Sequence, residues 1–168
     1  MHGPVHRYLA EDHARLDALL THAAADPAHI DLAVFHQFRV GILRHIGIEE
    51  KVLLPAARRA RGGVAIERAR DLRLEHAALT SLLVPTPDAA LCGEVLWLLH
   101  SHDDKEEGPT GVYAECEALF SDEESRALAA RAEAFPQVPL APHYDGPEAL
   151  RTAATALAGA RRMKAMQK

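Results

Sequence analysis

Apolar residues recur at intervals of three and four along most of the chain, and few stretches alternate apolar with polar residues. That period belongs to the α-helix, so the chain is predicted to be all-α. Four long helices are predicted, over about 5–24, 27–61, 64–84 and 87–107. Proline and glycine separate them, at Asp26-Pro27, Gly62-Gly63, Pro85 and Gly108-Pro109.

The pattern is less regular after the fourth helix. Residues 113–120, YAECEALF, predict one or two helical turns, and Ser121 and Glu124 form the capping box of a further short helix. A proline-rich stretch then predicts a linker, and an alanine-rich stretch with a basic end predicts a final helix. The predicted organisation is a helical domain over 1–135, a linker over 136–146 and a C-terminal helix over 147–168.

The chain repeats itself. DHARLDALL at 12–20 matches EHAALTSLL at 75–83, and HIGIEE at 45–50 matches HDDKEE at 102–107 in the same order. Two similar helical hairpins packed against each other form a pseudo-two-fold four-helix bundle, which is the architecture we predict.

Each of the four predicted helices carries one histidine in its apolar seam, and two helices add a glutamate one turn later. The six residues are His13, His45, Glu49, His76, His102 and Glu106. Burying a carboxylate without partners costs several kcal/mol, and two facing carboxylates repel each other. The pattern therefore predicts that a cation lies between them.

Imidazole nitrogen with carboxylate oxygen suits iron or manganese and also admits zinc. The repeat suggests one metal ion for each hairpin, with Glu49 and Glu106 each shared between the two ions. Glu50 and Glu107 lie one residue beyond the seam, where they form a solvated flank, accept hydrogen bonds from the ligands or serve as additional ligands. Gly41 and Gly47 flank His45, where they make room for a small ligand or a close helix contact, or are simply tolerated in the helix.

Composition excludes several classes of protein. The net charge is −5 with histidine neutral, and the basic residues are scattered, so a nucleic-acid partner is not expected. No apolar run reaches the length of a membrane helix, and MHGPVHRYLAEDH lacks a signal peptide's apolar core, so a cytoplasmic protein without membrane partners is predicted. Cys92 and Cys116 are expected to be buried thiols. Surface positions or helix ends are expected for His2, His6, His22, His29, His36, His100 and His143.

The order H, HxxxE, H, HxxxE on four successive helices resembles the hemerythrin-like, or HHE cation-binding, family over about residues 5–120. The matching segments are DHARLDALL, LRHIGIEEKVLLP, LEHAALTSLL and LLHSHDDKEE. The resemblance implies an up-and-down bundle that holds two non-haem iron ions with an oxo or hydroxo bridge. It also implies binding or sensing of dioxygen, peroxide or iron.

Two features depart from the family. The oxygen carriers have a fifth histidine four residues after the position of His76, where this chain has Thr80, so one ion is expected to keep an open position. The fourth helix also breaks into GPTGVYAEC directly after Glu107, which is expected to affect access to the site. Two alternatives stay open: a peroxidase or oxidase of low specificity, and a helical interaction module that needs no metal.

Overall fold

A computed structural model describes residues 2–166, in which the chain forms α-helices, one π-helical segment and no strand. The helices are α1 Pro4–Ala23, α2 Leu32–Ile48, α3 Leu54–Ala60, α4 Ala69–Leu82, α5 Ala89–Glu107, α6 Val112–Glu117, α7 Asp122–Glu133 and α8 Ala153–Met166; the π segment, Glu49–Leu53, joins α2 to α3. The all-α prediction is confirmed for this part of the chain.

The second helix begins at Leu32, five residues later than predicted. The Asp31 side chain accepts hydrogen bonds from the backbone N–H groups of Ala33 and Val34 and so caps the helix. Asp26 instead closes a turn, in which its carboxylate accepts from the N–H of Ala28. A second aspartate nearer the apolar run therefore sets the start of the helix.

Two other helices also begin later than predicted. Gly62 and Gly63 have φ of 64° and 96°, and they end α3 as expected, but the chain is not helical again until Ala69. In the fourth long helix, Asp88 is the capping residue, and its carboxylate accepts from the N–H of Leu91 at 2.7 Å. The prediction at Thr86-Pro87 was wrong by two residues, because the Thr86 side chain bonds to Asp145 instead.

The π segment lies where the HxxxEE sequence meets a proline. The N–H of Leu54 donates to the carbonyl of Glu49, five residues earlier. Pro55 follows, and a proline ring in a regular α-helix clashes with the carbonyl four residues before it. One wider turn accommodates Pro55 without ending the helix, and such π turns are frequent at functional sites.

The C-terminal third follows the predicted order. Ser121 and Glu124 make the predicted capping box at the start of α7. No helix lies within 136–146, and α8 begins at Ala153, later than the predicted 147. Positions 167 and 168 lie outside the described residues. Helix α8 packs on α4 and α5, and the proposed division of the chain into domains stays a prediction.

Two apolar clusters fill the interior, and the six seam residues lie between them. Along α1, Leu9 belongs to one cluster and Leu16 to the other, with His13 between them; along α4, Leu72 and Leu79 flank His76 in the same way. The seam residues are therefore shielded by apolar side chains on both sides. Within residues 2–166, none of the helices combines the length and apolar character needed to cross a membrane.

Candidate metal centre

The six residues singled out by the sequence converge in the interior, and all six are buried. They form two groups whose ligand atoms lie within 4.8 Å of one another. The His13 group consists of His13, His45, Glu49 and Glu106; the His76 group consists of Glu49, His76, His102 and Glu106. Each predicted hairpin contributes the two histidines of one group, and both groups share the two glutamates.

Each shared glutamate divides its two oxygens between the groups. Glu49 Oε1 lies 3.5 Å from His45 Nε2, and its Oε2 lies 3.0 Å from His76 Nε2. Glu106 Oε2 lies 3.4 Å from His13 Nε2, and its Oε1 lies 3.1 Å from His102 Nε2. Each of the two carboxylates thus presents one oxygen to each group, and their sharing by two ions stays a prediction.

Four further carboxylates hold the histidines from outside, and each comes from a neighbouring helical segment. They lie 2.6–2.9 Å from the Nδ1 atoms in the pairs His13–Glu107, His45–Asp12, His76–Glu50 and His102–Glu75. We call Asp12, Glu50, Glu75 and Glu107 the outer carboxylates. The pairs close a ring, in which α1 supports α2, the π segment supports α4, α4 supports α5, and α5 supports α1.

Glu50 and Glu107 both accept from a histidine, which is one of the alternatives that the sequence left open, and Glu107 also lies in a third group, with His13 and Asp103, that could hold a metal ion. The other two outer carboxylates, Asp12 and Glu75, were missed. A signal existed, because every outer carboxylate is the sequence neighbour of a seam residue, in the pairs Asp12-His13, Glu49-Glu50, Glu75-His76 and Glu106-Glu107. An acidic residue directly next to a seam residue in the sequence faces the neighbouring helix.

This ring determines which nitrogen faces inward. An ionised carboxylate only accepts hydrogen bonds, so each neutral histidine carries its proton on Nδ1 and turns the Nε2 lone pair toward the centre. His76 Nε2 and His102 Nε2 then lie 3.1 Å apart with both lone pairs facing inward. Four lone pairs and two carboxylates make the centre rich in acceptors and poor in donors.

Two buried carboxylate oxygens confirm the shortage of donors. Glu49 Oε2 and Glu106 Oε1 have no hydrogen-bond partner, although a histidine Nε2 lies 3.0–3.1 Å from each. Buried carboxylate oxygens are normally hydrogen-bonded or bound to a cation. The residues therefore fit a metal ion, because a cation satisfies the oxygens and the imidazole lone pairs at once.

Without a cation, protons must supply the missing positive charge. Burial lowers the pKa of His45, but the charge of Glu49 and the hydrogen bond to Asp12 outweigh burial and raise this pKa to about 10. The pKa of His102 is likewise raised well above its usual value, against the effect of burial, chiefly by Glu106. The pKa of Glu49 is held well below its usual range by His45, although burial opposes this shift.

A tyrosine that the sequence analysis missed also reaches the centre. Tyr113 is buried on α6, and its hydroxyl donates to Glu49 Oε1. Gly111 allows this approach, because a side chain there would collide with the backbone carbonyl of Glu106. The break after the fourth helix, expected to affect access, therefore returns the chain beneath Glu106. The sequence feature that could have identified Tyr113 is its place between two apolar residues and two positions after Gly111.

Tyr113 meets an environment of negative charge. Its pKa is raised well above the usual value by burial and by the carboxylates of Glu106 and Glu49.

Asp103, also missed, lies at the edge of the His13 group, with Oδ1 3.5 Å from His13 Nε2 and no hydrogen-bond partner. Burial raises the pKa of Asp103 to about 6.

Several smaller expectations are decided by the structure. Thr80 is exposed and donates to the carbonyl of His76, so it adds no group to the centre. A side chain at Gly41 would meet Leu16, and one at Gly47 would meet Phe135, so both glycines permit close packing rather than space for a ligand.

The remaining histidines and the cysteines follow the sequence with one exception. Cys92 and Cys116 are buried free thiols, and His100 is exposed and bonds to Asp17, as expected. His6 lies in the first turn of α1, at a helix end as one of the two expectations had it, but it is not at the surface. It is buried because its ring packs edge-on against that of Tyr113 at 5.6 Å.

The buried histidines and glutamates could hold a metal ion in a water-poor interior, with imidazole and carboxylate donors that suit a first-row metal ion. The chemistry of the donors does not by itself choose among iron, manganese and zinc. Comparisons of the chain with protein-family models, curated proteins and solved structures returned no match.

Proposed function

We propose that the chain is a hemerythrin-like protein in which an up-and-down four-helix bundle holds two iron ions and binds or senses dioxygen, peroxide or iron. The observation that carries the proposal is the ring of outer carboxylates, which turns four Nε2 atoms toward two buried glutamates. A site built only for stability has no need of so many inward-facing acceptors.

The bundle is supported by the order of the ring. The outer carboxylates connect α1 to α2, the π segment to α4, α4 to α5, and α5 back to α1. The π segment continues α2, so the cycle joins four long helices and requires each of them to lie beside the next. Contacts of α1 with α2, α4 with α5, and α1 with α5 agree with that order.

One ion would be held by the His13 group and the other by the His76 group, with Glu49 and Glu106 serving both. When bound, a pair of iron ions supplies electron transfer to dioxygen or peroxide. The chain contributes the arrangement of the ligands and an interior that excludes water. The outer carboxylates fix each imidazole ring in one orientation, and the two apolar clusters keep bulk water from the centre.

Metal counting tests the proposal directly. The purified protein is stripped of metal, reconstituted anaerobically with ferrous iron, freed of excess iron and then exposed to air. We expect two iron ions per chain, following the two groups, and a change in the visible absorption spectrum when air is admitted. Parallel reconstitution with manganese and zinc shows which metal the site retains.

A matched pair of variants separates the site from adventitious iron. The double variant His45→Ala/Glu106→Ala removes two inner residues, whereas His100→Ala/Glu11→Ala removes the same residue types at exposed positions. The first should lose most of its iron and the second should keep it. Equal iron in both variants would exclude the proposed site.

One observation favours an oxidase or peroxidase as a second candidate. An open cavity of about 720 Å³ between α4 and α8 is lined by His76, Glu50 and Thr80. An organic electron donor fits a space of that size. Steady-state consumption of peroxide with such a donor would support the enzyme, whereas a stable oxygen adduct without turnover would support the binding protein.

A further inference from the structure

The Tyr113 oxygen lies inside the His13 group. It is 3.2 Å from His13 Nε2, 3.2 Å from His45 Nε2 and 3.0 Å from Glu106 Oε2, and it donates to Glu49 Oε1. These four atoms are the ligand atoms of the group. The tyrosine is 1% exposed, so no solvent shares this contact.

The separations are those of neighbouring ligands on one metal ion. Nitrogen and oxygen ligands bind first-row ions at about 2.1 Å, so two ligand atoms at right angles lie about 3.0 Å apart. The distances of 3.0–3.2 Å from the tyrosine oxygen match that spacing for both histidines and for Glu106. Relative to these three atoms, the oxygen therefore lies where a further ligand of the same ion would lie.

Hydrogen bonding alone explains this position poorly. A tyrosine hydroxyl has one proton to donate, and here it is used on Glu49. When the histidines are neutral, as metal ligands must be, the Nε2 atoms of His13 and His45 turn lone pairs toward the same oxygen, because their Nδ1 atoms bond to outer carboxylates. One proton cannot satisfy this many facing acceptors, whereas one cation can.

The His76 group has no such residue among the described part of the chain. Thr80 is turned away, and the cavity between α4 and α8 reaches His76 instead. The two groups are thus unequal: the His13 group has an additional oxygen and is closed by α6, and the His76 group borders an open cavity.

We infer that the Tyr113 oxygen is a ligand of the ion held by the His13 group, and that small exogenous ligands bind the other ion. The inference rests on the proposed function, since it requires a metal in the site. On coordination the phenol O–H bond is replaced by a metal–oxygen bond, and the proton leaves to solvent. No change in the oxidation state of the ion or the tyrosine is involved.

Spectroscopy of the ferric protein tests the assignment. A phenolate bound to ferric iron gives a charge-transfer band in the visible, and resonance Raman excitation in that band enhances tyrosine ring vibrations. Wild type should show both features. Tyr113→Phe should lose both while it retains iron, and Tyr144→Phe, at an exposed position, should keep both.

A second variant keeps the test valid if Tyr113→Phe fails to fold. The chain has three tyrosines, so Tyr8→Phe/Tyr144→Phe leaves Tyr113 alone. The band and the ring vibrations should persist in that double variant. Their absence from iron-loaded wild type, or their survival in Tyr113→Phe, would overturn the inference and leave the proposed function standing. Wild type that retains no iron would overturn both.

Azide tests the inequality of the two ions. Added to the ferric wild type, azide should bind at the His76 side and leave the tyrosine vibrations in place. In Tyr113→Phe the ion of the His13 group loses the tyrosine oxygen, so azide should bind that ion as well and the number of azide ions bound per chain should rise above that of wild type. Loss of the tyrosine vibrations on azide binding would show that both ligands compete for one ion, and it would overturn the second half of the inference.

Discussion

The shared position of Glu49 makes a quantitative prediction for Glu49→Gln. The two Glu49 oxygens face different histidines, with Oε1 toward His45 and Oε2 toward His76, so this residue belongs to both groups. Glutamine keeps the shape of the side chain but removes its charge. We therefore expect both metal sites to weaken together, whereas His102→Gln alters a residue of the His76 group alone.

The size of the effect follows from binding linkage. Metal at 100 times the dissociation constant adds about 2.7 kcal/mol of stability for each site that exists only in the folded state. Two sites sharing Glu49 would add about 5 kcal/mol together. For a domain of this length, each kcal/mol shifts the Tm by about 2–4 °C. Metal should thus raise the Tm of wild type by about 10–20 °C.

The assay is the metal-induced rise in Tm, measured by calorimetry with and without metal on each variant. Taking the difference within one variant removes any effect of the substitution on the metal-free fold. Glu49→Gln should lose most of the rise, and His102→Gln should lose about half of it. The control Glu11→Gln makes the same chemical change at an exposed position of α1 and should keep the full rise. A rise in Glu49→Gln equal to that in Glu11→Gln would refute the shared-ligand reasoning.

Three further predictions follow. In the metal-free protein, Glu49 and Asp12 raise the pKa of His45 from 6.5 to about 10 against the effect of burial, so the folded chain holds a proton that the unfolded chain loses between those values. Its free energy of unfolding, measured by urea denaturation, should therefore fall as pH rises through that interval, and a flat profile would contradict the assignment. Glu75→Gln removes the charged acceptor of His102 Nδ1 and should weaken metal affinity about 10- to 100-fold in a chelator competition, without loss of helix content. Arg44 donates to three carbonyls at the end of α7, so Arg44→Met should lower stability by about 2–3 kcal/mol in urea while metal content stays unchanged; a parallel loss of metal would show that α7 supports the site.

Local sequence was sufficient for the helices and for the six inner residues. Helical periodicity places residues four apart on one face, so His45 with Glu49 and His102 with Glu106 were recognisable as inward-facing pairs. Repetition of the pattern in both halves then indicated that the pairs meet. The second helix was predicted to begin five residues too early, because Asp26 and Asp31 are both suitable capping residues and only Asp31 caps the helix.

Only the tertiary structure decided which groups surround the two His–Glu pairs. Tyr113 enters through a break in the helix, where no periodicity applies, and its contact with His13 spans 100 residues of chain. The outer carboxylates Asp12 and Glu75 act on histidines of other helices, at separations of 33 and 27 residues. A helical period reports which way a side chain faces within its own helix. The identity of its partner depends on how the helices pack, and that is settled by the whole fold.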